Sequence, residues 1–347
     1  MFLVENLSES VLQSFVMEAH KFEKVRQRVV ARVLESGLLE RKIFQIPQIT
    51  PKDICVAGVD GGLASFPFGC MDVALIRVAG VLFRYQEGVL SEAQYVPSEL
   101  PGLGIFAISE PIDLMKLEIA NGMCRQLKEV QLAIQIAKTR KPHLLLLDGS
   151  VVPQYVAGDK DSLLEKLYAE LLESYSLLYE TCERQGVFLA GFVKNSRGQH
   201  FVHSLGHSPE LSGEDREILS RFRDTDFLKY VMRLGQRTCT SLYRASSCGS
   251  LSRWRNRTHL FYLRVSEATL PFRVEFVEFG DNAELTASCI ASWVFFLSSF
   301  NPAMSSPSVL LEADLRARVS EEEAEIARNK LQSLGRPQSL DVIQKFV

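Results

Sequence analysis

No apolar stretch of the chain approaches the roughly 20 residues that a membrane-spanning helix requires; "IASWVFFL", residues 290–297, is among the longest. The first residues, "MFLVENLSES", carry acid where a secretory leader carries base, so the expectation is a cytoplasmic protein with no membrane contact. Cysteine is present seven times but never as CxxC, which argues against a disulfide framework and against a zinc site of that spacing. There is no GxSxG around any serine and no glycine-rich loop of the P-loop kind. A basic excess is also lacking. Net charge is −3, so any nucleic-acid contact has to come from a local patch. Neither a low-complexity tract nor a Pro/Ser-rich linker divides the chain. One domain over 1–347 is expected, with a core over 40–200, a polar insertion over 201–225 around "HSLGHSPELSGEDREI", and a C-terminal part over 226–347 that completes the site.

What is there is enough apolar residue, 46% of 347, to bury a full core. Helical spacing of Val11, Leu12, Phe15, Val16, Phe22, Val25, Val29 and Val33 predicts an amphipathic opening helix over about 8–36. "ICVAGVDGG" reads as a strand ending on Asp60, and "MDVALIRVAGVLFRY" as one bent strand or two short ones pairing with it as a hairpin. A helix over about 111–140 stops at Pro142, and "LLLLD" follows as a buried strand. Another helix over 160–185 is capped by Gly186 and leads into the strand "VFLAGFVK". Later strands are "LFYLRVSE" and "FRVEFVEFG", and helices are expected near 282–299, 307–318 and 320–335, the last opened by a Ser320–Glu323 capping box. Antiparallel strands first, then strand, helix, strand, helix, strand, is the order of an α/β fold with a ribonuclease H-like mixed sheet flanked by helices.

Two apolar runs therefore deliver an acid into small residues: Asp60 into Gly61 and Gly62, and Asp148 into Gly149 and Ser150. If the runs are neighbouring central strands, both acids lie at their carboxyl ends, where open α/β sheets place ligands. Two acids that close repel unless a cation lies between them, and carboxylate oxygens suit Mg²⁺ or Mn²⁺. The competing reading is that each Asp-Gly merely turns the chain.

"AGVDGG", "LLLLDGS", "GFVKNS" and "YLRVSEATLPFRVEF" together resemble the NurA nuclease family in their order and spacing over most of the chain. That resemblance implies a ribonuclease H-like fold, Mn²⁺ or Mg²⁺ dependence, a homodimer, and work on DNA ends with a HerA-type hexameric ATPase. It would be a 5′–3′ exonuclease, a single-strand endonuclease, or both. Carried over residue by residue, Asp60 and Asp148 match the family's two strand-end acids. Glu129 matches its helical Glu, with Glu118 as rival on the same helix, and Lys194 matches a position beside the second strand. The sequence has DGG where family members often have DGS. The family's late Pro-x-x-Leu-x-x-Ala-His aligns with "PSVLLEAD", so Asp314 stands where the family has His. Asp60, Glu129, Asp148 and Asp314 become the metal ligands, and with Lys194 the catalytic set. An Asp holds a divalent ion but does not do all that an imidazole does near pH 7, so a weakened, adaptor-like relative that binds a partner ATPase stands as the alternative.

Other constellations are weaker. His200, His203 and His207 have metal-like spacing but lack a companion motif, and read as surface histidines. "SRWRNR" offers Arg253, Arg255 and Arg257 for phosphates and Trp254 for base stacking, as single-strand grooves do; a solvated basic loop is an equal alternative. Cys182, Cys239 and Cys248 have no identifiable base. An actin-like, ATP-binding phosphotransferase also builds phosphate loops from Asp-Gly turns, but no adenosine-binding glycine motif follows in the last third.

Overall fold

Along residues 54–60 successive side chains point into two different apolar layers. Ala57 and Val59 join one cluster with Leu145, Leu147 and Leu189, while Ile54 and Val56 join the other with Leu144, Leu146 and Phe192. A strand covered on both faces has to read as an unbroken apolar run, and this one does. Each leucine so buried contributes roughly 1.5–3 kcal/mol.

The computed structural model describes residues 9–153, 163–244, 251 and 253–334. In chain order the elements are α1 (Glu9–Glu35), β1 (Ile43–Gln45), β2 (Asp53–Phe68), β3 (Met71–Gln86), β4 (Val89–Val96), β5 (Gly104–Ile108), α2 (Leu114–Thr139), β6 (Leu144–Asp148), α3 (Leu163–Gln185) and β7 (Phe188–Val193). Then come α4 (His200–Gly206), α5 (Gly213–Leu219), α6 (Asp224–Val231), β8 (Gln236–Thr238), β9 (Ser241–Leu242), β10 (Thr258–Leu263), β11 (Phe272–Val277), α7 (Ala283–Ser299), α8 (Ser308–Ala317) and α9 (Glu321–Leu334). The expected helix limits at 8, 160 and 335 lie outside the described residues, as does Cys248.

The strands form one sheet in the order β1-β8-β10-β11-β7-β6-β2-β3-β4, with β5 added to β3 and β9 to β10. β6 runs parallel to β2 and β7 parallel to β6, while β3 and β4 run antiparallel. The stretch β4-β3-β2-β6-β7, with α2 and α3 as the crossovers, is the expected ribonuclease H-like order; "MDVALIRVAGVLFRY" is one strand, β3, and the third antiparallel strand is β4, which the sequence reading did not name. α2 and α3 cover one face and α7 and α8 the other. No described helix is long and apolar enough to cross a membrane.

Two expectations change. β2 does not end on Asp60: it continues to Phe68, in register with β3 along its whole length, and the hairpin turns at Gly69 (φ 63°) and Cys70. The apolar run stops because β2 outruns its other neighbour, the last β2–β6 pair being Val59 with Leu147. Beyond that point the strand is only half covered. The Asp-Gly turn reading fails with it at this copy. The stretch 201–225, read as a polar insertion, contains α4 and α5 and sends Phe201, Val202, Leu205, Leu211, Leu219 and Phe222 into the core. Short helices need few apolar anchors, so the polar majority hides them. α1 packs here, with Arg32 paired to Asp215 at 2.6 Å and the Arg26 guanidinium 4.7 Å from the Phe222 ring centre.

Candidate active site

Strand alternation places Asp60 on the same face as Gly58 and Gly62, and that face lies against α8: a methyl at Gly58 would stand 2.9 Å from the Val309 carbonyl oxygen. Asp60 is 8% exposed, and its Oδ1 accepts the Gly61 amide at 2.7 Å. Among the described residues no cation pairs with it. Burial first, then the charge of Asp148, then that of Asp314, push its pKa up to about 7. β6 does end on Asp148, as the sequence predicts, and Lys194, just past β7, pairs with its Oδ2 at 2.5 Å.

Glu129 approaches from α2. It is buried, and it sits against Gly61, where an added methyl would stand 3.0 Å from Glu129 Cγ. Its charge is matched by Arg125, one turn earlier on the helix, which also donates to Gly61 O at 3.3 Å. Burial raises the Glu129 pKa to about 8, with Arg125 opposing and Asp60 and Asp148 adding to the rise. Glu118 is exposed. Asp314 lies on α8 at the rim, its side chain 51% exposed and paired with Arg318 at 3.6 Å. It is close enough to act on Asp60.

The structure therefore brings Asp60, Glu129, Asp148 and Lys194 together, with Asp314 alongside. Sequence reading passed over Arg125; the signal was its four-residue spacing to Glu129, which puts the two on one helix face. It also passed over Glu275 of β11, fully buried beneath the turn that follows Asp148. Its alternation with Phe and Val in "FRVEFV" imitates a solvated strand face.

An all-oxygen set of carboxylates matches the donors that Mn²⁺ and Mg²⁺ take, and a buried Asp60 lacking a paired cation is a place for one. Spacing is a separate matter. Among the described residues no three His, Cys, Asp or Glu side chains are set to hold an ion together; Arg125 and Lys194 occupy two of the acids instead. The unfolded chain ionises Asp and Glu near pH 4, whereas the folded chain keeps these protons to about pH 7 and about pH 8. Metal-free protein thus loses stability as pH rises through that window. In EDTA the melting temperature is expected to fall from pH 5 to pH 8, and Mn²⁺ to raise it more at pH 8 than at pH 5. A melting temperature that EDTA and Mn²⁺ leave equal at both values would show that this cluster takes no ion.

The basic patch is corrected. Trp254 is 1% exposed, packed edge-on to Tyr179 (5.4 Å) and Phe279 (5.7 Å), so its ring has no face for a base. Arg253 and Arg257 both pair with Glu183, at 3.2 and 3.3 Å, and only Arg255 of the trio stands exposed without an ion pair among the described residues. Trp254→Ala is expected to cost about 3–5 kcal/mol of stability, as emptying a large aromatic site does, and to leave DNA affinity of the folded protein unchanged; chemical denaturation and a filter-binding titration read the two. His203 and His207 meet edge to face at 4.7 Å, and His200 packs edge-on to Tyr243; among the described residues they form no metal group.

Sheet order and a buried acid cluster where β2 outruns β6 define a ribonuclease H-like protein. The model of the NurA domain matches residues 76–342, and the chain belongs to the NurA family. That span holds Glu129, Asp148, Lys194 and Asp314 and begins past Asp60. Among solved structures, the NurA nuclease from Sulfolobus solfataricus is 15% identical with a TM-score of 0.62, covering 94% of this chain and 98% of that one. A NurA structure with manganese is 12% identical (TM-score 0.53; 96% and 100% covered), and one bound to dAMP and manganese is 11% identical (TM-score 0.54; 97% and 99% covered). At these identities they show the fold. No curated protein sequence matches the chain.

Proposed function

We propose that the chain is a metal-dependent deoxyribonuclease, a phosphodiester hydrolase of one domain over 1–347, acting in DNA end processing in the cytoplasm. The observation that carries this is Asp60: a buried acid on a central strand, its pKa raised by burial and by the charges of Asp148 and Asp314, with Glu129 of α2 packed on the next residue, Gly61, near enough for the charge of Asp60 to act on it. Asp60, Glu129, Asp148 and Asp314 would hold Mn²⁺ or Mg²⁺. Two such ions, if bound there, would supply Lewis acidity to an attacking water and to the leaving 3′ oxygen. Asp60 and Asp148, on adjacent parallel strands, fix the spacing of the ligands. Arg125 holds Glu129 on the sheet. Lys194, released from Asp148, would neutralise a phosphate. The NurA structure with manganese and the one bound to dAMP and manganese support this reading. The test is Mn²⁺-dependent cleavage of end-labelled single-stranded and duplex DNA, whose product ladder also reads 5′–3′ exonuclease against endonuclease action; no cleavage of either by wild type would sink it.

The adaptor reading keeps one observation in its favour: Asp314, standing in place of the family's His, is half exposed and already paired with Arg318. In that case the chain would bind a HerA-type ATPase without cleaving.

Assembly follows from α1. Its apolar stripe Val11, Leu12, Phe15, Phe22, Val29, Val33 is continuous, yet only Val29, Val30 and Val33 are buried, while Phe15 is 70% exposed. A homodimer that covers the overhanging half would present a symmetric surface to a ring-shaped ATPase. Light scattering at micromolar concentration is expected to give twice the chain mass, and Phe15→Glu to give the monomer; a wild-type monomer would count against both the dimer and the docking.

A further inference from the structure

Glu275 is 0% exposed in the middle of β11, and the residue opposite it on β7 is Gly191. A methyl group at Gly191 would overlap the carbonyl oxygen of Gly149 and stand 2.9 Å from the Val151 nitrogen. The turn after Asp148 therefore folds down across β7 through the gap that Gly191 leaves and reaches one strand further, to β11. There a single Glu275 oxygen accepts the Ser150 hydroxyl and, at 3.1 Å, the Val151 amide. Arg273, on the same face of β11, meets the other oxygen at 2.7 Å. From α3, Tyr175 donates to Ser150 O at 3.3 Å and Tyr179 donates to Val151 O. Gly149 holds φ at 130°, a region that glycine alone enters readily.

A buried ion pair is a poor way to gain stability, because desolvating both charges offsets their attraction, and apolar replacements are often neutral or better. What sets this pair apart is its aim. Both hydrogen bonds that Glu275 accepts from outside its own strand come from the two residues that complete the turn out of Asp148. That turn fixes the direction in which Asp148 leaves the sheet, and Asp148 is the acid whose charge weighs most on Asp60.

We propose that Glu275 is a positioning residue for the acid cluster, locking the Asp148–Val151 turn through the gap at Gly191 so that the Asp148 carboxylate is aimed beside Asp60. This rests on the nuclease reading, and the experiment separates the two. Full-length wild type, Glu275→Gln and Gly191→Ala are compared for Mn²⁺ affinity by calorimetry, for kcat and KM on a single-stranded oligonucleotide, and for melting temperature. Glu275→Gln keeps one acceptor oxygen but leaves Arg273 unmatched; Gly191→Ala changes no charge and displaces the turn by contact alone. Both are expected to weaken Mn²⁺ binding about 10–100-fold, the range seen when a partner that orients a ligand is lost. kcat falls with it, while KM for DNA stays within about twofold because substrate binding is untouched. Lower melting temperatures with wild-type Mn²⁺ affinity and kcat would overturn the proposal and leave Glu275 a structural residue. Should either variant fail to fold, Ser150→Ala, which removes the hydroxyl that donates to Glu275 and accepts the Val152 amide at 3.1 Å, decides: unchanged Mn²⁺ affinity overturns the lock. Wild type that neither binds Mn²⁺ nor cleaves DNA overturns the nuclease reading itself, a result distinct from failure of the variants alone.

Discussion

Asp60→Ala is expected to lower Mn²⁺-dependent cleavage by about 10³-fold or more, equivalent to about 4 kcal/mol of transition-state stabilisation, since the proposed metal site would lose a ligand. The same change should leave the metal-free protein at pH 8 at least as stable as wild type. Asp60 is 8% exposed with Asp148 and Asp314 raising its pKa, and its own charge raises that of Glu129. Deleting it relieves both, and the Gly61 amide is the one hydrogen bond it is seen to lose. Single-turnover cleavage and melting in EDTA check the two halves. Cleavage at wild-type rates would remove Asp60 from the reaction, while a large loss of stability would mean that its role is to hold β2.

Gly62→Ala carries the second large effect. A methyl at this position would overlap the Ala317 carbonyl oxygen and stand 2.9 Å from the Ala317 carbonyl carbon. That neighbour is backbone at the end of α8, and it cannot rotate away as a side chain would. Beside it, Arg77, paired with Gly62 across the hairpin, donates to Arg318 O at 2.8 Å and clamps Glu323, so the α8–α9 connection is pinned where the methyl would go. Overpacking of this kind costs about 1–3 kcal/mol. It should also move Asp314 off the rim and reduce cleavage. A urea midpoint and a cleavage rate both unchanged would show that the connection yields freely. The same contact explains why DGG, and not DGS, fits here: a serine would meet the same carbonyl.

Much of this was legible in the chain. Runs such as "LLLLD" and "VFLAGFVK" are apolar at every position because both faces of β6 and β7 are covered, and continuous burial leaves a continuous signal. The Ser320–Glu323 capping box is local chemistry, and it forms as read, with reciprocal bonds of 3.0 and 3.1 Å. Asp148 ends its strand because the turn that follows is written in its neighbours. Asp60 misled, since an apolar run stops equally well where a strand ends and where a strand loses one partner. Trp254 misled for a related reason: flanking arginines look like a phosphate-binding loop until Glu183 of a distant helix neutralises two of them.

The sequence by itself determined the order of the core elements β2, β3, α2, β6, α3 and β7, and hence the ribonuclease H-like sheet, because hydrophobic period and turn chemistry act within a few residues of where they are written. Which acids meet was decided by tertiary structure alone. Glu129 rather than Glu118 reaches the sheet beside Asp60, at Gly61, because α2 packs on the sheet with one side only, and its partner Arg125 comes with it. Glu275 reaches the Asp148 turn only because Gly191, on the strand between them, has no side chain. Burial and proximity, which raise the pKa values of Asp60 and Glu129, are properties of residues far apart in the chain, and no local pattern encodes them.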